Sequence, residues 1–420
     1  MDITSLGEAR FPSPVRHSVS DQARIPADII RDPAAGKRDE VLFELAGPRS
    51  KLFFDPKRTR AGMVTCGGLC PGLNNVIRAL FFELHHMYGV AEVLGFRDGY
   101  QGLDPVRGSE PVVLTPAFVD QIHHHGGTIL GTSRGPVDMA LAVDNLIRRE
   151  VQILFTIGGD GTQRGGNELF QQAQRRGHAL SVVGIPKTID NDVAFIDRTF
   201  GYLTAVEEAV RVLDCAHAEA RSVQNGLAVV KLMGRHAGFI AAGATVASHD
   251  VNFTLIPEVR FKLDGKNGFL SVLKQRLQKR GHAVVVVAEG AGQELFEDSA
   301  TGRDASGNIK LKDIGLFLRE RIESYFKEAN IPIVMRYFDP SYQIRSSAAN
   351  AADSLLCDLY ARNAVHAAMA GKTGVVIGLL HDSFIHVPIE MLVREKKNIE
   401  PDSIWWTSVL AVTGQPERFE

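Results

Sequence analysis

The chain has 420 residues, 45% of them hydrophobic and 23% charged, so it can bury a substantial core spread over roughly two or three domains. Its 47 lysines and arginines against 49 aspartates and glutamates leave a formal charge of −2. That balance lacks the basic surplus of a dedicated nucleic-acid binder, yet leaves room for a local basic pocket facing a small phosphorylated substrate. No apolar run approaches the roughly 20 residues of a membrane span; the longest, Phe239 to Ser248, is interrupted by Gly243. The N-terminus lacks a basic segment followed by an apolar one, and Glu417-Arg418-Phe419-Glu420 carries no targeting or lipidation signal, so the expected location is the cytoplasm. Cys66, Cys70, Cys215 and Cys357 are scattered, as in a reducing compartment. Cys66 and Cys70 lack a second pair at metal-ligand spacing and read as structural thiols of a tight loop.

In chain order, residues 1 to about 58 are rich in Pro, Arg and Asp with weak periodicity, and read as an extension that packs on the surface or contacts another subunit. From Thr59 onward strand and helix alternate. Ala61 to Thr65 reads as a buried strand entering the loop Cys66-Gly67-Gly68-Leu69-Cys70-Pro71-Gly72. A helix follows near Asn74, with Ile77, Leu80, Phe81, Leu84 and Met87 at helical spacing. His123-His124-His125 cannot share one face of an element and reads as a solvated loop or helix end. Ile153 to Ile157 is a second apolar strand, ending in Gly158-Gly159-Asp160-Gly161-Thr162. Ser181 to Ile185 is a third, ending in Pro186-Lys187-Thr188-Ile189-Asp190-Asn191-Asp192. Leu227 to Leu232 and Ala283 to Ala288 are two valine-rich runs. Continuous apolar strands between helices predict parallel sheet covered on both faces. The polar and glycine motifs all follow strand ends, where open α/β sheets bind ligands.

Each motif has a chemical reading beside a structural one. Gly67-Gly68-x-x-Pro71-Gly72-x-Asn74 lets backbone approach a phosphate, with the helix N-terminus adding amides and a favourable dipole; the alternative is a tight turn. In Gly158-Gly159-Asp160-Gly161-Thr162 the glycines open space and Asp160 offers a hard oxygen to Mg²⁺; the alternative is a turn with an Asp cap. The same pentapeptide occurs in NAD kinases and diacylglycerol kinases, so it supports kinase chemistry without naming a substrate. Asp190 and Asp192 flank an amide at a strand end, where a carboxylate can take the proton of an attacking hydroxyl, help typically worth ~10²–10⁴ in rate. As an isolated string, Asp-Asn-Asp is more often a solvated turn. Met233-Gly234-Arg235 and Arg345-Ser346 add cations of the kind that stabilise a migrating phosphoryl group.

Taken in order from about residue 60 to 390, these strings, with Gly126-Gly127-Thr128-x-Leu130-Gly131-x-x-Arg134, resemble the phosphofructokinase family. The resemblance implies an α/β fold of two Rossmann-like three-layer α/β/α domains with the active site in the cleft between them. The expected boundaries are an extension over 1–58, a nucleotide and phosphoryl-donor domain over 59–201 plus 344–395, a fructose 6-phosphate domain over 202–343, and a tail over 396–420. The implied reaction is Mg²⁺-assisted phosphoryl transfer to the 1-hydroxyl of fructose 6-phosphate. By the same resemblance Asp190 is the general base and Asp192 a positioning or metal-organising carboxylate. Asp160 organises Mg²⁺; Gly67, Gly68, Arg134, Gly159, Gly161, Thr162 and Lys187 bind nucleotide or transferred phosphate, with Arg134 neutralising the γ-phosphoryl group. Thr188, Met233, Gly234, Arg235, Glu289, Tyr342 and Arg345 match the sugar-phosphate pocket, and Arg336 a position that reaches it from a neighbouring subunit. A homo-oligomer, a tetramer in the family, is implied. NAD kinase is an alternative resting only on the shared pentapeptide. A non-catalytic regulatory subunit is another, opposed by the presence of Asp160, Asp190 and Asp192.

Two departures bear on mechanism. Many bacterial ATP-dependent members have a neighbour-subunit arginine seven residues before the Met-Gly-Arg methionine, where this chain has Gly226. The donor motif is also mixed: Gly161 resembles the ATP enzymes and Lys187 the pyrophosphate enzymes. An Asp at 161 would crowd and repel a nucleotide's α-phosphate, whereas Lys187 adds a cation that either polyphosphate could use. Exclusion discriminates more strongly than a flexible attraction, so ATP is the expected donor and pyrophosphate the alternative.

Overall fold

The computed structural model describes residues 3–30, 40–133, 135–296, 302, 309–392 and 396–420. The chain forms two compact units. The first takes Met1–Ile189, Val193–Gly201 and Ser346–Lys396; the second takes Asp190–Asp192, Tyr202–Arg345 and Lys397–Glu420.

Among the described residues, the first unit is built on a nine-stranded sheet. Its centre is parallel, in the order Val375–Leu380, Ser181–Pro186, Ile153–Gly158, Arg60–Thr65, Glu92–Gly95. The three strands expected from their apolar runs are all there and almost wholly buried. Side chains alternate across the sheet. Val64, Leu94, Leu154 and Val182 share one cluster with the helices Met139–Arg148 and Asp160–Arg175. The long helix Ala351–Met369 packs on the same central strands and against the helix Leu73–Phe82.

The N-terminal extension is not merely laid on the surface. Arg24–Pro26 and Leu42–Leu45 continue the sheet antiparallel beyond Ser383–Pro388. A buried charge cluster pins this edge: Glu44 accepts from Arg49 Nη2 at 2.9 Å, Lys372 Nζ at 3.0 Å and His386 Nδ1 at 3.0 Å. Burial would push Glu44 up, but these bonds, that from His386 foremost, hold its carboxyl down at about 2. A further difference lies after Phe82, where Glu83–Tyr88 turns as a π-helix ending at Gly89. The wider turn breaks the 3.6-residue rhythm, so Leu84 and Tyr88 are buried while Met87, expected on the apolar face, is exposed.

The second unit has a four-stranded, all-parallel sheet in the order Phe253–Leu255, His282–Ala288, Gly226–Leu232, Val334–Phe338. Both valine-rich runs form its centre, paired residue for residue from Gly226↔His282 to Leu232↔Ala288. The helices Phe269–Arg280 and Ile314–Glu328 share one core cluster with these strands, and Tyr202–Arg221 also packs on them. The last residues belong here too. Gln415 Oε1 accepts from Thr254 N at 2.6 Å, and Phe419 stacks edge-on to Phe269 with centroids 5.5 Å apart. The unit also claims residues 190–192, expected with the donor domain: Arg235 N donates to Asp190 Oδ2 and Lys397 N to the Asp192 carbonyl. No helix among the described residues is long and apolar enough to cross a membrane.

Candidate active site

In the first unit the register of the parallel strands decides which loops meet. Thr65 pairs with Ile157, and Ile157 with Ile185. The three following loops therefore leave the sheet side by side at its C-terminal edge, bringing Gly67, Gly68, Gly159, Asp160, Gly161, Thr162, Lys187 and Thr188 to one place. Lys187, 7% exposed, joins them. Its Nζ donates to the Gly68 carbonyl at 2.6 Å and its backbone N to the Gly158 carbonyl at 3.0 Å. Gly67 has φ +85°, a left-handed conformation, and a Cβ there would lie 3.3 Å from Lys187 Nζ. Asn74 fastens a fourth segment: its Nδ2 donates to the His125 carbonyl at 3.0 Å, and its Oδ1 accepts from Ile129 N at 2.9 Å. Thr132 Oγ1 donates to the Gly67 carbonyl at 2.7 Å. Arg134, two residues on, lies outside the described residues.

Asp160 opens the helix Asp160–Arg175, whose N-cap is Gly159; Asp160 is thus in the first turn and does not cap it. Its carboxylate pairs with Lys396 Nζ at 2.9 Å. The position of Gly161 is open: a Cβ there would meet only Arg164 Nη2, at 3.9 Å, among the described residues. Cys66 and Cys70 are buried; burial pushes the Cys66 thiol up to about 12, and Cys70 Sγ donates to the Phe200 carbonyl at 3.4 Å.

In the second unit the pairing Leu232↔Ala288 sets Met233-Gly234-Arg235 beside Glu289. Glu289 N donates to the Leu232 carbonyl at 2.9 Å and Gly290 N to the Gly234 carbonyl at 3.0 Å. Gly234 has φ +126° and a Cβ would sit 2.7 Å from the Ala237 carbonyl, so only glycine makes this turn. Asp190 is held here by the Arg235 backbone N, 3.4 Å from Oδ2. Burial, then the negative charges of Asp192 and Glu289, push the Asp190 carboxyl up to about 7 against the opposing pull of the Arg235 amide and the Arg345 charge. Met233 is fully buried.

Two predicted residues stand apart from this group. Arg336 sits two residues inside the edge strand Val334–Phe338, level with Ala228, and pairs with Glu219 at 3.4 Å. Tyr342 is 81% exposed. Lys396 and Thr132 were missed by sequence reasoning. Lys396 belongs to a charged run, Arg394-Glu395-Lys396-Lys397, that resembles any solvated segment, and only the fold brings it to Asp160. Thr132 stands in the Gly-Gly-Thr string already singled out and could have been found there.

The arrangement can cradle polyphosphate on glycine-rich backbone beside a buried ammonium in one unit, and offers a carboxylate base among arginines in the other. Comparison with known proteins agrees. The sequence model of the family Phosphofructokinase matches residues 60–368. An ATP-dependent 6-phosphofructokinase of Borreliella burgdorferi is 46% identical over 99% of this chain and 96% of its own length. One from Amycolatopsis methanolica is 45% identical over 99% of this chain and 94% of its own. In fold, a crystal structure of a pyrophosphate-dependent phosphofructokinase from Nitrosospira multiformis aligns with a TM-score of 0.70 at 17% identity, covering 86% of this chain and 93% of that one. With near full-length relatives at this identity and the family's motifs standing at the predicted strand ends, the chain belongs to the phosphofructokinase family.

Proposed function

We propose that this protein transfers the γ-phosphoryl group of ATP to the 1-hydroxyl of fructose 6-phosphate, giving fructose 1,6-bisphosphate and ADP. The observation that carries the reading is Asp190, a buried carboxylate pushed up to about 7 and held among Asp192, Glu289, Arg235 and Arg345. A base whose pKa lies near the operating pH combines a useful ionised fraction with proton affinity. Asp190 takes the proton of the 1-hydroxyl as its oxygen attacks phosphorus. Arg235 and Arg345 bind the sugar phosphate, the Arg235 amide and the Arg345 charge offsetting negative charge around Asp190; Met233, Gly234 and Glu289 lie beside it in the second unit, and the family resemblance assigns Thr188 and Tyr342 to sugar binding. Arg336, half-exposed on an edge strand, is available to a neighbouring subunit in the homotetramer that the family resemblance implies.

On the donor side the backbone of Gly67, Gly68, Gly159, Gly161 and Thr162, with Lys187, holds the phosphates, and the family resemblance assigns the γ-phosphoryl group to Arg134. Mg²⁺ fits this chain as an ion carried by the nucleotide. Among the described residues no group of three or more His, Cys, Asp or Glu could hold a metal by itself, and Mg²⁺ is usually bound through one or two carboxylates plus substrate phosphates. Asp160 is the carboxylate that would hold it, and when bound the ion neutralises charge developing on the phosphates. The buried Lys187 is the feature that favours a second reading, with pyrophosphate as donor. The open position at Gly161 and the full-length relatives named ATP-dependent favour ATP.

The acceptor is tested by incubating the protein with Mg-ATP and either fructose 6-phosphate or NAD, then identifying the product. Fructose 1,6-bisphosphate in the first reaction and none in the second supports the proposal. Phosphorylation of NAD with fructose 6-phosphate untouched would overturn it.

A further inference from the structure

One ammonium of the second unit sits within its sheet and has no part in the chemistry above. Lys231 belongs to the strand Gly226–Leu232, two positions before Met233-Gly234-Arg235. Its side chain is 12% exposed, and its Nζ pairs with Asp313 Oδ2 at 2.7 Å and with Asp339 Oδ2 at 2.9 Å. Side chains alternate across a strand, so Lys231 shares a face with Leu227 and Val229, which cluster with Ile314 and Leu318 of the helix Ile314–Glu328. A charge on such a face is tolerated only when paired and hydrogen-bonded. Burial would release the Lys231 proton, but its bonds to Asp313 and Asp339 outweigh burial and push the ammonium up.

Each of the two carboxylates stands at the start of a helix. Asp313 caps Ile314–Glu328, accepting from Leu316 N at 3.1 Å. Asp339 accepts from Ser341 Oγ at 2.5 Å and from Ser341 N at 3.3 Å, at the first residue of the helix Ser341–Ser346. That helix carries Tyr342 and Arg345, and the Arg345 charge reaches Asp190. At six residues it is too short to be stable by itself, and Ile344 is its one buried side chain, so its place depends on its anchors. Strand register supplies one of them: the pairing that ends on Val230↔Phe338 sets Lys231 level with Asp339. Lys231 thus joins the strand that delivers Arg235 to the segment that delivers Arg345.

We propose that Lys231 is a positioning residue for the sugar-phosphate site: through Asp339 it fixes where the helix Ser341–Ser346 begins and so where Arg345 stands. The inference rests on the proposed function, in which Arg345 binds the phosphate of fructose 6-phosphate. That phosphate is at the other end of the sugar from the 1-hydroxyl, so a displaced Arg345 weakens ground state and transition state alike, raising KM with kcat little changed. Lys231→Met should raise the KM for fructose 6-phosphate at least about tenfold, with kcat and the KM for ATP within about twofold of wild type. Asp339→Asn keeps an oxygen for Ser341 but loses the ion pair; it should raise the same KM by about fivefold or more, and it decides the matter if Lys231→Met does not fold. Asp313→Asn leaves Lys231 on Asp339 and should lower the melting temperature with every kinetic constant within about twofold of wild type. An unchanged KM for fructose 6-phosphate in folded Lys231→Met or in Asp339→Asn would overturn the inference. So would Asp313→Asn raising that KM as much as Asp339→Asn does, the mark of a merely structural triad. A wild type inactive on fructose 6-phosphate would overturn the proposed function itself, whereas an active wild type with either of those results overturns the role of Lys231 alone.

Discussion

Asp190 joins two properties that pull against each other. Burial and two neighbouring carboxylates raise its pKa to about 7 from an ordinary 3.8, so the folded chain holds this proton more tightly than the unfolded chain does. Between those two pH values ionisation favours unfolding, and stability from this group falls as pH rises through the window. Asp190→Asn should therefore raise the thermal midpoint above pH 7 while lowering kcat by at least ~10², with the KM for fructose 6-phosphate little changed. A variant that is both unstabilised and active would remove Asp190 from the base role. In the wild type, kcat/KM for fructose 6-phosphate should climb with pH up to about 7 and level off above it, since only the ionised carboxylate accepts the proton. A profile flat between pH 5.5 and about 7.5 would contradict that assignment. Asp160 tells a different story, because its carboxylate is already paired with Lys396 at a partly exposed site. Removing the competitor in Lys396→Met should lower the Mg²⁺ concentration for half-maximal rate, by at most about fivefold for a pair of this exposure. A raised Mg²⁺ requirement would mean that Lys396 supports the metal site instead of competing with it. The strand that leads to Asp190 was legible from its apolar run. Lys396 was not, because an ion pair between residues 160 and 396 leaves no local pattern.

At the scale of elements, the site residues follow from strand register. All five strands that precede the motifs were readable, since runs such as Val-Val-Val-Val and Ile-Leu-Phe-Thr-Ile sustain no exposed face. The loops after them inherit their proximity from the pairing Thr65↔Ile157↔Ile185 in one unit and Leu232↔Ala288 in the other. The π-helix at Glu83–Tyr88 was hidden, because the apolar residues before it fit an ordinary helix and only packing selects the wider turn. Gly161 isolates the loop's chemistry from its folding. Its φ is not positive and its Cβ position is open, so Gly161→Asp should leave stability within about 0.5 kcal/mol. The added carboxylate should nonetheless cut the ATP-supported rate at least about tenfold by repelling the nucleotide phosphates. Melting curves and initial rates check the two halves. An unchanged rate with ATP would show that position 161 does not govern the donor.

For the whole molecule, the two ends of the chain proved to be structural. The N-terminal residues add strands to the first sheet through the Glu44 cluster, and the C-terminal residues complete the core of the second unit. Neither was legible: the extension's strands are only three and four residues long, and Phe419 stands alone between the charged Arg418 and Glu420. It is nevertheless 4% exposed and packs against Phe253 and Phe269. Phe419→Ala should cost about 3 kcal/mol or more in denaturant unfolding, while a loss under 1 kcal/mol would mean that the tail is dispensable. The central claim concerns what the assembled chain does with a phosphoryl donor. It is tested most directly by initial rates with Mg²⁺ and fructose 6-phosphate, supplying ATP or pyrophosphate as the sole donor. The account predicts turnover with ATP and none with pyrophosphate; turnover with pyrophosphate alone would contradict it and make Lys187, not Gly161, the residue that selects the donor.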